Sequence, residues 1–429
     1  MKQKFDAIVV GGGPAGCACA YRLAQEGMEV LVVERGKFAG AKNMWGGAFF
    51  GPVLNNLIPD FWEEAPVERY VACQRFSLLW EEACFSAEFT TPKFSRPPYN
   101  GFITMRSKFD RWFATKVEQM GGIVAFGIQA DDLLWNGNRI VGIVGGGDNL
   151  PADVVIACDG VNSILAQKAG FGGELKPQDV KQGVKEVLQF PRELLEQRFN
   201  LTGDEGMAWE FIGSCTRGLP GGGFIYTNKD SLSVGVVVQL NALAKRKVNA
   251  NDLLEGFKSH PAIARLLDGG KLVEYSAHLI PVSGINMMPR LYADGFLVAG
   301  DAAAFVVGTG LILEGANFAV TSGVAAADTV IRAKQKGDFS ANSLSCYREL
   351  LEKSYVLKDL KTFKKAPHFL ENHRIYTTYP ELACNFVEKI FTSDGQPRKR
   401  AWQLFREAMK GKVSLWQMAR DLMQGKEAI

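Results

Sequence analysis

Residues Phe5 to Glu34 read FDAIVVGGGPAGCACAYRLAQEGMEVLVVE. An apolar run from Phe5 to Val10 enters Gly11-Gly12-Gly13-Pro14-Ala15-Gly16. A helix-patterned segment then runs to about Glu26, and a second apolar run, Val30 to Val33, ends on Glu34. The pattern predicts a strand, a turn, a helix and a strand. Gly11 permits the tight turn, Gly13 lets a pyrophosphate approach the backbone, and Gly16 lets the helix lie close on the strand. The phosphates then rest at the helix N-terminus, where Gly12, Pro14 and Ala15 complete the turn. Glu34, followed by Arg35, stands where a carboxylate can accept hydrogen bonds from a ribose. A glycine-rich loop alone is common. Flanking strands, a helix and an acid about 20 residues further on together predict dinucleotide binding.

A chain of 429 residues suits two or three domains. Its 47% hydrophobic and 22% charged residues argue against disorder. The first strand starts at Phe5, which leaves no room for a signal peptide and predicts a cytoplasmic protein. Eight cysteines, at 17, 19, 73, 84, 158, 215, 346 and 384, show no C-x-x-C and no histidine at ligand spacing. They are expected to be reduced and mostly buried, with no metal site. Gly295 to Val320 is long and apolar but holds Asp301, Glu314 and several glycines, so it reads as a buried strand, loop and helix rather than a membrane span.

After Arg35 comes a loop rich in small residues, in which Asn43 and the Gly46-Gly47 pair are candidates for flavin or adenosine contacts. Strand-like runs between 66 and 100 form an excursion from the first domain. Arg106 opens a helix with Phe109, Trp112, Phe113 and Val117 on one face. A strand (Ile123 to Phe126), a hairpin (Asp131 to Val144) and a buried strand (Asp153 to Ala157) lead to Asp159-Gly160, with Gly145-Gly146-Gly147 as a turn. From Val180 longer strand-like runs predict a mostly antiparallel sheet, interrupted by helices near 191–199 and 250–267. The strand Gly295 to Ala299 ends on Gly300-Asp301, a long helix runs from about Glu314 to Lys336, and helices follow to the end.

The glycine turn with Glu34, Asp159-Gly160 and Gly300-Asp301, in that order, resemble the FAD-binding flavoproteins of the glutathione reductase and hydroxylase superfamily. The resemblance implies an α/β fold. A Rossmann FAD-binding domain (1–175, returning at 291–340) would carry an inserted mostly antiparallel β-sheet domain (176–290) and a helical C-terminal region (341–429). It also implies that the long helix, starting at Gly315-Ala316, points its N-terminus at the flavin, where the dipole stabilises negative charge on the reduced ring.

Further motifs look like the electron-transfer-flavoprotein:quinone oxidoreductase family, and most like its FixC-type members. They are GKFAGAKNMWGG (36–47), Met105-Arg106, GGGFIYTNKDSLSVGVVV from Gly221 and EYSAHLIPV from Glu274. Membership implies FAD, reduction by an electron-transfer flavoprotein and reoxidation by a quinone, with the protein peripheral to the inner face of the membrane, or by a small ferredoxin-like protein. It carries Gly11, Gly13, Gly16, Glu34, Arg106, Asp159 and Asp301 over as FAD contacts. Larger members end in an iron–sulfur domain with four cysteine ligands. The last hundred residues here hold only Cys346 and Cys384, which suits a separate cluster-bearing subunit.

No second GxGxxG follows Ala157, so a pyridine nucleotide is not expected as direct reductant. No nucleophile, base and orienter set is visible, and electron transfer needs none; His278 reads as a core residue. A flavin reductase or hydroxylase of a bulky apolar substrate, geranylgeranyl-reductase-like or aromatic-hydroxylase-like, stays open, as does a structural role. From Lys353 to Ile429 fifteen Lys or Arg face eight Asp or Glu, a net of +7 in a chain of net +3. This basic tail suits an acidic protein or anionic lipid. Its acids and lack of a nucleic-acid motif argue against nucleic acid. Lys358, Lys361 and Lys365 would share one helical face, and Arg398-Lys399-Arg400 form a second cluster.

Overall fold

The computed structural model describes residues 4–42, 46–172 and 174–429. Strands β1 (Phe5–Val10) and β2 (Val30–Glu34) are nearly continuous apolar runs. Buried on both faces, they suit a parallel sheet covered by helices. The helix Pro14–Gln25 crosses between them, with Pro14 in its first turn, where no N–H is needed. There follow β3 (Gly46–Phe50), β4 (Val67–Trp80), β5 (Ala83–Thr90), β6 (Gly101–Met105), the helix Arg106–Gln119 and β7 (Ile123–Phe126). The hairpin β8 (Ala130–Asn136) and β9 (Arg139–Gly145) precedes β10 (Asp148–Ala157). Beyond lie β11 (Val180–Gln189), β12 (Glu205–Gly213), β13 (Gly221–Thr227), β14 (Ser231–Gln239), β15 (Lys271–Pro281), β16 (Tyr292–Ala293) and β17 (Phe296–Val298).

β17, β10, β1, β2 and β7 form a parallel sheet in that order, with β1 at its centre. Ligands of such sheets bind at the carboxyl ends of the strands. The ends of β1, β2, β10 and β17 here are Gly11, Glu34, Cys158-Asp159 and Ala299-Gly300. On one side the first helix packs against the long helix Ala316–Lys336 so closely that a Cβ on Gly323 would lie 2.2 Å from Ala15 O.

The second sheet runs β15-β11-β14-β13-β12-β4-β6-β3, with β5 on the outside of β4. The excursion read at 66–100 therefore does not stand apart. Its strands continue the sheet of 180–281 through β4 and β12, among the described residues the one parallel pairing of that sheet. Helices Arg192–Phe199, Ala250–Ser259 and Pro261–Leu267 cover one face, over Val184, Phe211, Ile225, Val234 and Val236. The other face is concave. Ser233 Oγ of β14 lies 3.8 Å from Met105 Sδ of β6, although three strands separate them in sheet order.

Two helical expectations change. The stretch 250–267 breaks at His260, whose Nδ1 accepts a hydrogen bond from Ala262 N, because Pro261 cannot continue the preceding helix. The helix expected to carry Lys358, Lys361 and Lys365 on one face is shorter than that: Ser354 Oγ caps Tyr355–Thr362. That helix ends at Thr362, so Lys365 leaves the face of Lys358 and Lys361. Lys361 and Lys365 pair instead with Glu352 (3.5 Å) and Glu427 (2.6 Å). All eight cysteines are free, six of them buried. Among the described residues no helix is long and apolar enough to cross a membrane.

Candidate functional site

Gly11, at φ +108°, turns the chain out of β1, and a Cβ there would lie 2.3 Å from Cys158 O. A Cβ on Gly16 would come within 1.9 Å of Gly11 O, so glycine at this position is what seats the helix on the strand. Gly13 is the N-cap, and among the described residues no side chain caps the helix that begins Pro14-Ala15. Its first N–H groups are therefore left for an anion. Among the described residues a Cβ on Gly13 would meet one atom within 4 Å, Arg106 Nη2 at 3.3 Å. Bare backbone, an uncapped helix end and a guanidinium thus border one small space.

At the end of β2 both Glu34 carboxylate oxygens accept backbone hydrogen bonds, from Gly12 N (2.9 Å) and Gly36 N (2.6 Å). Each keeps a further lone pair for a ribose hydroxyl. Arg35 beside it is exposed. Across the turn, Arg106 leaves β6 and forms a two-pronged ion pair with Asp110, Nε–Oδ1 2.7 Å and Nη2–Oδ2 2.6 Å. Asp110 is wholly buried. Burial works against the Arg106 charge, but Asp110, and more weakly Asp301, hold its pKa above the ordinary arginine value. Gly46 and Gly47 of β3 pair with Met105 and Thr104, which sets them next to Arg106. Asn43 lies outside the described residues.

Asp301 follows β17. Burial raises its pKa and Arg106 counteracts. Its Oδ1 would be 3.7 Å from a Cβ on Gly315, the N-cap that precedes Ala316. Among the described residues no side chain caps this second helix N-terminus either. Gly300, at φ +66°, abuts the first helix, where a Cβ would lie 2.8 Å from Ala15 Cβ, and Ser322 Oγ accepts from its N–H at 3.0 Å. Asp159 is turned in part toward its own chain, its Oδ2 accepting from Leu165 N at 3.0 Å. Its Oδ1 is buried with no partner among the described residues. Gly160 adopts φ +77° in the turn. Burial lifts the Asp159 pKa, with backbone N–H groups and Arg35 opposing.

Sequence reasoning missed three features. Asp110 sits four residues after Arg106 on one helix, a spacing that signals an ion pair. His278, read as core, is partly buried, and burial with the charges of Arg106 and Arg35 pushes its pKa down to about 4, so it is neutral at physiological pH. Glu210 and Tyr226 meet across β12 and β13 on the concave face, a pairing that no local motif announces.

The uncapped helix at Gly13, the room a Cβ would fill there, the pinned Glu34 and the orphaned Asp159 Oδ1 fit a dinucleotide with two phosphates. The second uncapped helix, at Gly315-Ala316, fits an electron-accepting ring. Fold and site together define an FAD-dependent oxidoreductase. Residues 6–90 match the family model for FAD dependent oxidoreductases, residues 181–280 the ubiquinone-binding model of ETF-QO, and residues 366–429 the ETF-QO/FixC family C-terminal domain. Protein FixC of Escherichia coli K12 is 44% identical over 91% of each chain. A protein of the same bacterium named "Probable electron transfer flavoprotein-quinone oxidoreductase YdiS" is 43% identical over 92% of each. The chain belongs to the electron-transfer-flavoprotein:quinone oxidoreductase family, in its FixC-type branch. A geranylgeranyl bacteriochlorophyll reductase-like protein from Thermoplasma acidophilum shares the fold, with TM-score 0.74 and 18% identity over 98% of this chain and 99% of its own.

Cys384 is buried, its thiol directed at Leu78 O, and Cys346 opens the helix Cys346–Lys353. Neither has a cluster of further ligands around it among the described residues. The chain expressed alone is expected to contain no iron–sulfur cluster, and Cys346→Ala with Cys384→Ala to leave its flavin spectrum intact. Stoichiometric iron and sulfide in the isolated chain would contradict this.

Proposed function

We propose that the protein takes electrons from an electron-transfer flavoprotein onto FAD and passes them to a quinone or to a ferredoxin-like partner. The observation that carries this reading is the ubiquinone-binding match over 181–280, the segment that builds β11 to β15, whose concave face reaches Met105 and hence Arg106. In this reading Gly12, Gly13, Pro14 and Ala15 receive the pyrophosphate, Gly11 and Gly16 shape the turn, and Glu34 binds ribose beside Arg35. Arg106 adds positive charge at the phosphates, braced by Asp110. Asp159-Gly160, Gly300-Asp301, Gly46 and Gly47 line the remaining length, and Gly315-Ala316 present helix N–H groups to the ring. Bound FAD supplies a centre that gains and loses two electrons. The chain's own part is to hold it, shield it and set its charge environment.

The C-terminal helices Ala401–Met409 and Leu415–Ala428 expose Trp402, Trp416, Leu422 and Met423 among Arg398, Lys399, Arg400 and Arg420. Apolar and aromatic side chains beside cations suit an anionic membrane surface, where a lipid-soluble quinone is available. Anaerobic mixing with reduced electron-transfer flavoprotein is expected to bleach the flavin, and quinone carried in anionic vesicles to restore its colour while the protein sediments with them. A flavin that this donor does not reduce, but that NADPH reduces in the presence of an aromatic compound, would sink the reading in favour of a hydroxylase.

A further inference from the structure

We infer that Glu210, with Tyr226 beside it, is the acid that protonates a quinone-type acceptor during its reduction. The inference rests on the reading above that a quinone is an acceptor, and it assigns a residue to that step.

Glu210 lies on β12 directly opposite Phe224 of β13 and Phe76 of β4. Residues opposite one another in a sheet share a face. Ser233 and Tyr226 are likewise opposed, and Ser233 reaches Met105, so this is the concave face. Tyr226 stacks on Phe224 at 5.0 Å between centroids, and its Oη is 3.5 Å from Glu210 Oε1. Tyr226 also packs on the cluster of Val71, Ile103 and Ala208 with Ala48. Ala48 follows Gly47, and Ile103 stands three residues before Arg106. The acid and phenol therefore belong to the end of the sheet that borders the candidate flavin cleft.

Two other acids of this sheet are matched to cations. Glu186 meets Lys258 at 2.8 Å, and Glu274 meets Lys185 at 3.0 Å. Glu210 meets a phenol. Among the described residues Tyr226 is the titratable group that hydrogen-bonds it, and Phe76 faces it from β4. Burial pushes the Glu210 pKa up to about 7, and the Tyr226 hydroxyl offsets this only in part. A carboxyl kept purely for stability gains nothing from this placement, because burying an unpaired charge is costly. An acid poised near the working pH is what proton transfer requires. Glu210, Phe76 and Phe224 each keep partial exposure, so the carboxyl is open to an acceptor on the concave face, beside aromatic side chains that suit a flat ring.

The step balances. The Glu210 O–H bond breaks and an O–H bond forms on one quinone oxygen. Two electrons and the second proton come from the reduced flavin, giving the quinol and oxidised FAD. The Glu210 carboxylate then regains its proton from solvent.

The test uses full-length, FAD-loaded protein and a short-chain ubiquinone, with ferricyanide as the reference because it takes electrons without protons. In the wild type the ratio of quinone to ferricyanide rate is expected to fall as pH rises through about 7, where Glu210 deprotonates. Glu210→Gln keeps the shape without a transferable proton, and the ratio is expected to drop about a hundredfold and lose that pH dependence. Glu210→Asp should recover part of the ratio. Independently of turnover, the infrared carbonyl band of a protonated carboxylic acid should titrate near neutral pH in oxidised protein and be missing in Glu210→Gln. A Glu210→Gln variant with the wild-type ratio and profile, or a wild type without that band, overturns the acid role alone. Wild-type protein that reduces ferricyanide but no quinone overturns the acceptor reading, and the acid role with it.

Discussion

Gly13→Val is expected to give a folded but colourless protein. Backbone at Gly13, φ −82° and ψ −176°, is open to valine, and among the described residues a Cβ would meet only Arg106 Nη2, at 3.3 Å. The valine methyl groups would project into the space bounded by the helix N-terminus and Arg106, where the pyrophosphate has to lie. Displacing it forfeits at least two hydrogen bonds to a charged group, each worth about 1.5–3 kcal/mol, so FAD affinity should fall by roughly two to four powers of ten. The measurement is flavin absorbance per protein chain after gel filtration, beside far-UV circular dichroism to confirm the fold. Gly16 offers no such separation. A Cβ there would collide with Gly11 O at 1.9 Å and disturb the packing of helix on strand, so loss of FAD would report on folding. Wild-type FAD content in folded Gly13→Val would place the phosphates elsewhere.

The contrast between these two glycines shows why this part of the molecule can be read from its sequence. Strand, turn, helix and second strand lie within thirty consecutive residues, and each glycine answers a local steric demand that the motif encodes. The order of the three FAD-type motifs is legible for the same reason, since β1, β10 and β17 each end in a short turn that brings its own signal residue to one edge of the sheet. The joining of β4 to β12 was not legible. Parallel partners need no turn between them, so nothing local marks the pairing, and the strands of 66–100 look like a separate excursion until they are seen in one sheet. Buried Arg69 gives no sequence signal for the same reason. It donates to the carbonyls of Gly203, Glu205, Asn228 and Lys229, and these contacts tie β4 to a distant part of the chain. The Glu210–Tyr226 pair is equally non-local, and only the curl of the sheet turns it toward Arg106.

Arg106 and Asp110 carry the second large expected effect, and they allow two roles of one arginine to be told apart. Asp110 has no solvent exposure and the Arg106 side chain only 15%. Removing one partner of so buried a pair costs about 3–5 kcal/mol, whereas replacing both with apolar groups of similar volume is often close to neutral. Arg106→Met and Asp110→Leu are therefore each expected to lower stability by that amount in urea, and the double variant to recover most of it, a coupling well beyond the scatter of independent sites. Bound FAD would itself raise the apparent stability, so each variant is measured at saturating FAD and again after the flavin is stripped. If Arg106 also faces the pyrophosphate, the double variant regains the stability of the stripped protein but not its FAD affinity, because methionine supplies no charge beside Gly13. A double variant that recovers both would confine Arg106 to bracing its own helix. Strictly additive losses in the stripped protein would mean that the pair is not the coupled unit its bidentate geometry describes.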